Sequence, residues 1–395
     1  MREIVQICKY YPPYYGGIPG YVELLARQLK KYYRVTVLAS NTRWRRAEEA
    51  SENLRVIRVP RLAELRSTAL CPTMARELAK LRPDIVHLHF PDPMAHLAQM
   101  IASPVSKLIV TWHGDIVRQK FLLKFYWPFL RRILRQADAI VVSSRSYRDN
   151  CSFLEGVRER CEIIPFGIQV EAFELTQETR QRAEVLRQQS ADRRILFIGR
   201  ISHYKGLDFL LRALCGLDAQ LVVVGGGTLK PAMERLSVEL GVANRVEFLG
   251  DVWQDQREKL LVQLHACSVV VLPSVNQSES FGIVQLEAMA CSKPVVSTDI
   301  PTGVPWVNQH GVTGFVVPPR DADALRSAIG RLLDDPALRR KFGQAGRQRV
   351  TAEFTKQLHI RRMVNLYESL LTGNKDRSPT ARELDKCLTG ERQGI

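Results

Sequence analysis

The chain has 395 residues, 45% of them hydrophobic, and a formal net charge of +16. That length suits two or three domains with packed cores, and the basic excess calls for an anionic partner: nucleic acid, phospholipid head groups or a diphosphate substrate. No apolar run reaches the roughly 18 residues of a membrane span, Met1–Tyr10 lacks the apolar region of a signal peptide, and eight cysteines without Cys-x-x-Cys spacing read as reduced thiols of a cytosolic protein.

Glu3–Cys8 predicts a buried strand, Pro12–Gly20 a tight loop, and Tyr21–Lys31 a helix with Val22, Leu25 and Leu29 on one face. Strand, glycine loop and helix can bind phosphate, but Gly16 and Gly17 do not fit the G-x-G-x-x-G spacing of dinucleotide-binding domains and suit a simple turn equally well. Strands are predicted at Val35–Leu38, Leu54–Val59, Ile85–His89, Leu108–Thr111, Ala139–Ser143 and Cys161–Ile164, alternating with helical segments. This alternation argues for an α/β fold with a doubly wound parallel sheet, whose binding crevice lies at the carboxyl ends of the strands. His87, His89 and His113 sit at or beside such ends. His87 and His89 share a strand face, yet no carboxylate or cysteine stands at a supporting spacing, so no metal is expected. His113 is either a buried, satisfied histidine or a site residue.

From Lys120 to Arg135 the aromatics Phe121, Phe125, Tyr126, Trp127 and Phe129 interleave with Lys120, Lys124, Arg131, Arg132 and Arg135. Such a basic amphipathic helix either lies in a membrane interface or packs its apolar face on the sheet. Pro128 is expected to start or kink a turn there. Val170–Asp192, polar and without a strand signal, reads as an interdomain connection.

A second strand–helix series opens with Ile195–Ile198 and continues Gly199-Arg200-Ile201-Ser202-His203-Tyr204-Lys205-Gly206. Arg200 and Lys205 in one post-strand loop can neutralise a diphosphate without a metal, or form an ordinary surface pair. Leu221–Val224 leads into Gly225-Gly226-Gly227-Thr228, and Val246–Gly250 into a loop from Asp251. The apolar run Val269–Leu272 precedes Glu279-Ser280-Phe281-Gly282-Ile283-Val284-Gln285-Leu286-Glu287. A helix starting in this segment presents free N–H groups suited to phosphate. Gly282 lacks the Cβ that would crowd a ligand, Glu279 falls in the loop, and Glu287 about two turns into the helix. The two carboxylates either hold hydroxyls on each side of an anion or are plain helix charges. Pro294–Ser297 and Thr313–Val317 are further strands; Asp321 and Asp323 read as an N-cap and not a metal pair; Leu358–Leu371 is a last amphipathic helix.

Taken together, the Glu279–Glu287 segment and the Gly-Arg-x-x-x-x-Lys-Gly run at 199–206 resemble the family 4 retaining glycosyltransferases over about residues 3–370. The resemblance implies the GT-B architecture, two Rossmann-like domains facing across a cleft. Residues 1–175 would bind the acceptor, 192–352 the nucleotide-diphosphate sugar, 353–371 would cross back to the N-terminal domain, and 372–395 would form a disordered tail. Glu287 is implied to hold the ribose diol, and Arg200, Lys205 and the amides near Phe281–Ile283 the diphosphate, with Ser280 and Gly282 in the same donor site. Glu279 and His113 would meet the sugar, Gly16 and Gly17 the diphosphate, and Asp251 and Val252 the base. Thr228 departs from the Gly-x-Gly-Pro frequent in the family. Retention implies attack on the face from which the diphosphate departs, so Glu279 is not assigned as a covalent nucleophile.

The run Val86–Pro93 with Ile116–Lys120 looks like enzymes of bacterial surface-polysaccharide assembly. That implies a mannose or rhamnose from a GDP-sugar and a polyprenyl-diphosphate-linked acceptor. The protein would lie peripherally on the inner face of the membrane, with Lys120, Lys124, Trp127, Arg131 and Arg132 toward lipid or acceptor. No cofactor and no nucleic acid are expected. A UDP-sugar donor, a nonhydrolysing sugar-nucleotide epimerase, and a basic membrane- or nucleic-acid-binding protein are the alternatives; an NAD-dependent dehydrogenase is not expected, because neither glycine loop has the dinucleotide spacing.

Overall fold

The computed structural model of the chain describes residues 1–14, 16–65, 68–115, 120–252 and 256–373, with the backbone alone over 120–124. The expected tail from 374 onward, residues 116–119, and the side chains of Lys120 and Lys124 lie outside the described residues. Two compact units are present: Met1–Pro165 together with the segment from Gln357, and Phe166–Lys356.

In the first unit the strands are β1 (Glu3–Cys8), β2 (Arg34–Ser40), β3 (Ala47–Ser51), β4 (Leu54–Val59), β5 (Ala63–Leu65), β6 (Thr68–Leu70), β7 (Ile85–Phe90), β8 (Lys107–Trp112), β9 (Ala139–Val142) and β10 (Cys161–Ile163). Eight of them form one sheet in the order β10-β9-β8-β7-β1-β2-β4-β3, while β5 and β6 pair separately. Every ladder of the large sheet is parallel except β3–β4. Its parallel strands are rich in Val, Ile and Leu because both faces are covered, while the antiparallel edge strand β3 is polar and exposed. Val5, Ile7, Val86, Leu88 and Val110 pack with Leu130, Ile133 and Leu134 of the helix Lys120–Gln136. Ile4, Val35, Val37, Ile85 and Ile109 pack with Val22, Leu25 and Leu29 of the helix Gly17–Leu29, and with Ile360, Met363 and Tyr367 of the helix Lys356–Thr372. The last helix therefore returns to the first unit's core.

The second unit holds β11 (Arg194–Ile198), β12 (Gln220–Val224), β13 (Val246–Gly250), β14 (Val269–Leu272), β15 (Val295–Thr298) and β16 (Gly314–Val317). They form an all-parallel sheet in the order β13-β12-β11-β14-β15-β16. In each unit the strand order reverses once, between β1 and β7 and between β11 and β14. Ligand crevices form at such reversals.

Several expectations change. The helix predicted from Tyr21 begins at Gly17, because Pro19 falls in its first turn, where a missing N–H costs nothing. Val170–Asp192 is not a connection: its helix Gln177–Gln189 is capped by Thr176 and seats Ala183 on Val262 and Ala266. The units accordingly divide at Pro165/Phe166, not at 175 and 192. The helix Lys120–Gln136 runs on through Pro128, whose ring is on the exposed side. Asp321 caps the helix Ala322–Asp334 by accepting from Ala324 N–H (2.8 Å), and Asp323 pairs with Arg326. The seven described cysteines are free thiols.

Candidate functional site

Two loops meet at the strand reversal of the second unit, one after β11 and one after β14. The Val275 N–H donates to Tyr204 O at 2.8 Å, tying them together. Gly206 allows this approach: its φ is +64°, and a Cβ there would stand 2.1 Å from Pro273 O. An L side chain is disfavoured on both counts. The approach brings the Lys205 ammonium into an ion pair with the Glu279 carboxylate, both residues being 9% exposed. Ser274 Oγ–H donates to the same carboxylate at 3.1 Å. Burial works against the charge on Lys205, but Glu279, then Tyr204 and Glu287, more than offset it and raise its pKa. The sequence-predicted Lys205 and Glu279 are thus partners.

Glu287 sits in the second turn of the helix Ile283–Ala290, not two full turns in. Burial raises its pKa, against the opposing pull of Arg257 and Lys205. Among the described residues no hydrogen bond engages its carboxylate. Arg200 is exposed at the head of its loop. The glycine turn after β12 packs on that loop: Gly199 N–H donates to Val224 O (2.9 Å) and Ile201 N–H to Gly226 O (2.7 Å). A Cβ on Gly225 would meet Gly199 O at 2.2 Å, so these glycines serve close backbone packing.

Three predicted donor residues take other roles as side chains. Phe281 is buried among Phe166, Phe354 and Trp306, with ring centroids 5.4, 5.9 and 6.2 Å away, so only its backbone can face a ligand. Gly282 has φ +73°, and a Cβ would meet Leu272 Cδ2 at 2.6 Å. The backbone conformation and this neighbour require glycine there, without reference to a ligand. Asp251 accepts from Gly226 N–H at 2.7 Å and so buttresses the glycine turn. Ser280 is buried, its carbonyl accepting from Gly303 N–H (2.8 Å), while Ile283 is partly exposed. Val252 lines a groove of about 550 Å³ with Leu249, Gln256, Gln181 and Arg182.

In the first unit the reversal carries histidines. His87 is fully buried, with Nδ1 2.6 Å from the Tyr367 hydroxyl and Nε2 2.6 Å from Thr111 Oγ1. Both nitrogens are occupied, so it is no half of a metal pair with His89. His359 places Nδ1 2.8 Å from Pro165 O and Nε2 3.1 Å from Tyr21 Oη. A carbonyl only accepts, which fixes the protons of His359 and Tyr21. His359 Nδ1–H donates to Pro165 O, and Tyr21 O–H donates to His359 Nε2.

His89 Nδ1 lies 3.1 Å from His113 Nε2, and the Tyr21 ring stands edge-on to His113 (5.0 Å), His359 (5.4 Å) and His89 (5.8 Å). Burial pushes His87 and His113 down to about 3, His359 to about 4 and His89 well below its usual value, so all four are neutral near pH 7. Beneath His113, Asp115 Oδ1 accepts from Tyr147 O–H (2.6 Å) and Trp112 Nε1–H (3.1 Å), anchoring the loop. Gly16 caps the helix from Gly17, where a Cβ would meet nothing within 4 Å. Tyr21, Thr111, His359, Tyr367 and Asp115 were not singled out from sequence; a tyrosine or threonine on an apolar face carries no local signal of such a role.

The basic segment also sorts itself. Trp127 packs on Phe153 (5.7 Å) and the Tyr126 hydroxyl binds His96, so Trp127 is a core contact and not a lipid-facing group. Phe125, Phe129, Arg131 and Arg132 are exposed, and the adjoining helix Pro93–Ala102 exposes Leu97 and Ile101. Among the described residues no helix is long and apolar enough to cross a membrane.

Residues 15–172 match the Glycosyltransferase Family 4 family, and residues 178–349 match Glycosyl transferases group 1. The chain is 34% identical over 374 residues to the O-antigen chain mannosyltransferase C of Escherichia coli, covering 94% of this chain and 99% of that one. It is 37% identical over 280 residues to the D-rhamnosyltransferase WbpZ of Pseudomonas aeruginosa, covering 71% and 72%. Sucrose-phosphate synthase from Thermosynechococcus elongatus has a similar solved structure, with a TM-score of 0.79 at 25% identity over 94% of this chain and 100% of that one.

Proposed function

Because the chain belongs to the family 4 glycosyltransferases, and is a hexosyltransferase with the GT-B fold, we propose that its donor is a GDP-sugar carrying mannose or rhamnose. The acceptor we assign is a polyprenyl-diphosphate-linked glycan of surface-polysaccharide assembly; of the two relatives, one is an O-antigen chain mannosyltransferase and the other a D-rhamnosyltransferase. The observation that carries the donor reading is the buried Lys205–Glu279 pair beside the unengaged Glu287 carboxylate.

Glu287 accepts from the ribose diol. Lys205, Arg200 and the first amides of the helix Ile283–Ala290 hold the diphosphate. As the anomeric bond breaks, negative charge grows on the leaving oxygen, and these fixed donors stabilise it more than the ground state. Glu279, already oriented by Ser274, takes sugar hydroxyls once the diphosphate shares its lysine. His113 serves a hydroxyl of the transferred sugar, and retention follows from attack on the face of departure. The cations suffice without a metal. Phe125, Phe129, Arg131 and Arg132, with Leu97 and Ile101, would rest on an anionic membrane surface.

Thermal shift with GDP, UDP, ADP, dTDP and their sugars, in the presence of EDTA, tests the donor site. A shift with GDP compounds that is lost in Lys205→Ala and Glu287→Ala supports the assignment, its size tracking concentration over Kd. A shift with UDP compounds alone overturns the GDP donor, and dependence on added metal overturns the metal-free site.

A further inference from the structure

We propose that His89 is a positioning residue that locks His113 in the tautomer protonated on Nδ1, so that His113 meets substrate as a neutral N–H donor. This rests on the reading that His113 serves the transferred sugar.

The 3.1 Å contact between His89 Nδ1 and His113 Nε2 needs one proton between two nitrogens. If His113 supplies it, His89 must carry its own proton on Nε2. That atom is fully shielded, on a side chain only 1% exposed, and among the described residues it has no hydrogen-bond partner. The arrangement would bury an unsatisfied N–H. If His89 supplies the proton from Nδ1, its Nε2 keeps only an idle lone pair. Unsatisfied buried donors are rarer than under-used acceptors, and each costs its full desolvation.

The surroundings cannot rescue the first arrangement. Tyr21, whose ring stands edge-on to His89 and His113 from the neighbouring helix, has its proton committed to His359. His87, whose ring centroid lies 4.4 Å from that of His89, spends both nitrogens on Tyr367 and Thr111. With Nε2 of His113 accepting from His89, its own proton resides on Nδ1. A group fixed this way selects an oxygen that can accept, such as a sugar hydroxyl, over one that must donate.

Nitrogen-15 NMR of histidine-labelled protein at pH 7.5 reads the tautomers directly. The wild type is expected to show His113 with a protonated Nδ1 and a lone-pair Nε2, and His89 protonated on Nδ1. A proton on His113 Nε2 overturns the proposal. His89→Leu is expected to give His113 as a mixture of tautomers and to lower kcat by about tenfold with little change in donor KM. His89→Asn, which can offer an amide N–H near the Nδ1 position, is expected to restore most of kcat. Equal kcat in wild type and a folded His89→Leu overturns the proposal; should that variant fail to fold, the wild-type spectrum decides. His113→Ala separates the two readings. Undiminished kcat there sinks the assigned role of His113 toward sugar, while the tautomer measurement still judges the lock.

Discussion

The two units solve one problem in opposite ways. Each sets polar side chains at the reversal of a parallel sheet, buried enough that water cannot hold them in place. The second unit does so with opposite charges, Lys205 against Glu279, and leaves a further carboxylate, Glu287, disengaged. The first unit's histidines use no charge. With tyrosines and a threonine they form neutral hydrogen bonds that occupy both nitrogens of His87 and of His359. An ion pair can change partners when an anion arrives, whereas neutral rings held at both nitrogens resist change. The first arrangement suits groups that must trade contacts during a reaction, the second a group whose orientation must not vary.

Acid breaks the comparison most strongly. His87, His89, His96, His113 and His359 all have folded pKa values below the unfolded value near 6.5, through burial above all. A depressed histidine contributes stability that is fully present above the unfolded pKa and is lost as pH falls toward the folded one. Asp92, raised by burial to about 6, works the other way between about pH 4 and 6, as one group against five. The Lys205 pKa is raised, so its contribution is lost only as pH climbs through alkaline values. Amide exchange between pH 7 and 4 is therefore expected to show the first unit losing protection well before the second. Uniform loss in both would end the distinction.

Lys205→Met probes the charged side. It is expected to lower kcat/KM by roughly 10²–10³, about 2.7–4 kcal/mol of transition-state stabilisation, in a transfer assay. Retained activity would remove Lys205 from the reaction. On the neutral side His87→Leu strands the Tyr367 and Thr111 hydroxyls. A loss of about 2–4 kcal/mol is expected, read as an earlier urea midpoint for first-unit peptides alone. Gly206→Ala forces a side chain into the left-handed region against Pro273 O, at a cost of at least about 1–2 kcal/mol on the second unit. Removing Arg131 and Arg132 together is expected to weaken binding to anionic vesicles by about 1 kcal/mol per residue at low salt, without touching either reversal. Unchanged co-sedimentation would detach this face from the membrane.

Much of this was legible in the sequence wherever the signal is local. The buried strands declare themselves as Val, Ile and Leu runs, and the Gly199–Gly206 and Glu279–Glu287 segments name the charged site. What the motif could not tell is why its last glycine is there; the answer, Pro273 O, lies on another strand's loop. The edge strand Ala47–Ser51 escaped notice because its sequence is polar and acidic, held to β4 by pairs such as Arg58–Glu49 at 2.7 Å. Phe281 reads as a site residue from its place between Glu279 and Glu287, although its ring belongs to an aromatic core. The neutral series was out of reach, since it joins position 21 to positions 87, 111, 359 and 367, whose proximity only the fold supplies.

The helix Lys356–Thr372 also sets an order of assembly. The second unit occupies one continuous stretch, Phe166–Lys356, so on the ribosome its chain is complete before that of the first unit. Until residues 359–367 emerge, nascent Ile4, Val35 and Ile109 lack the cover of Ile360, Met363 and Tyr367, and His87 lacks its phenol. Domains ordinarily finish folding in the order of synthesis. Here the chain of the later half is complete first, and one face of the earlier half's sheet keeps part of its apolar surface uncovered until the last helix arrives.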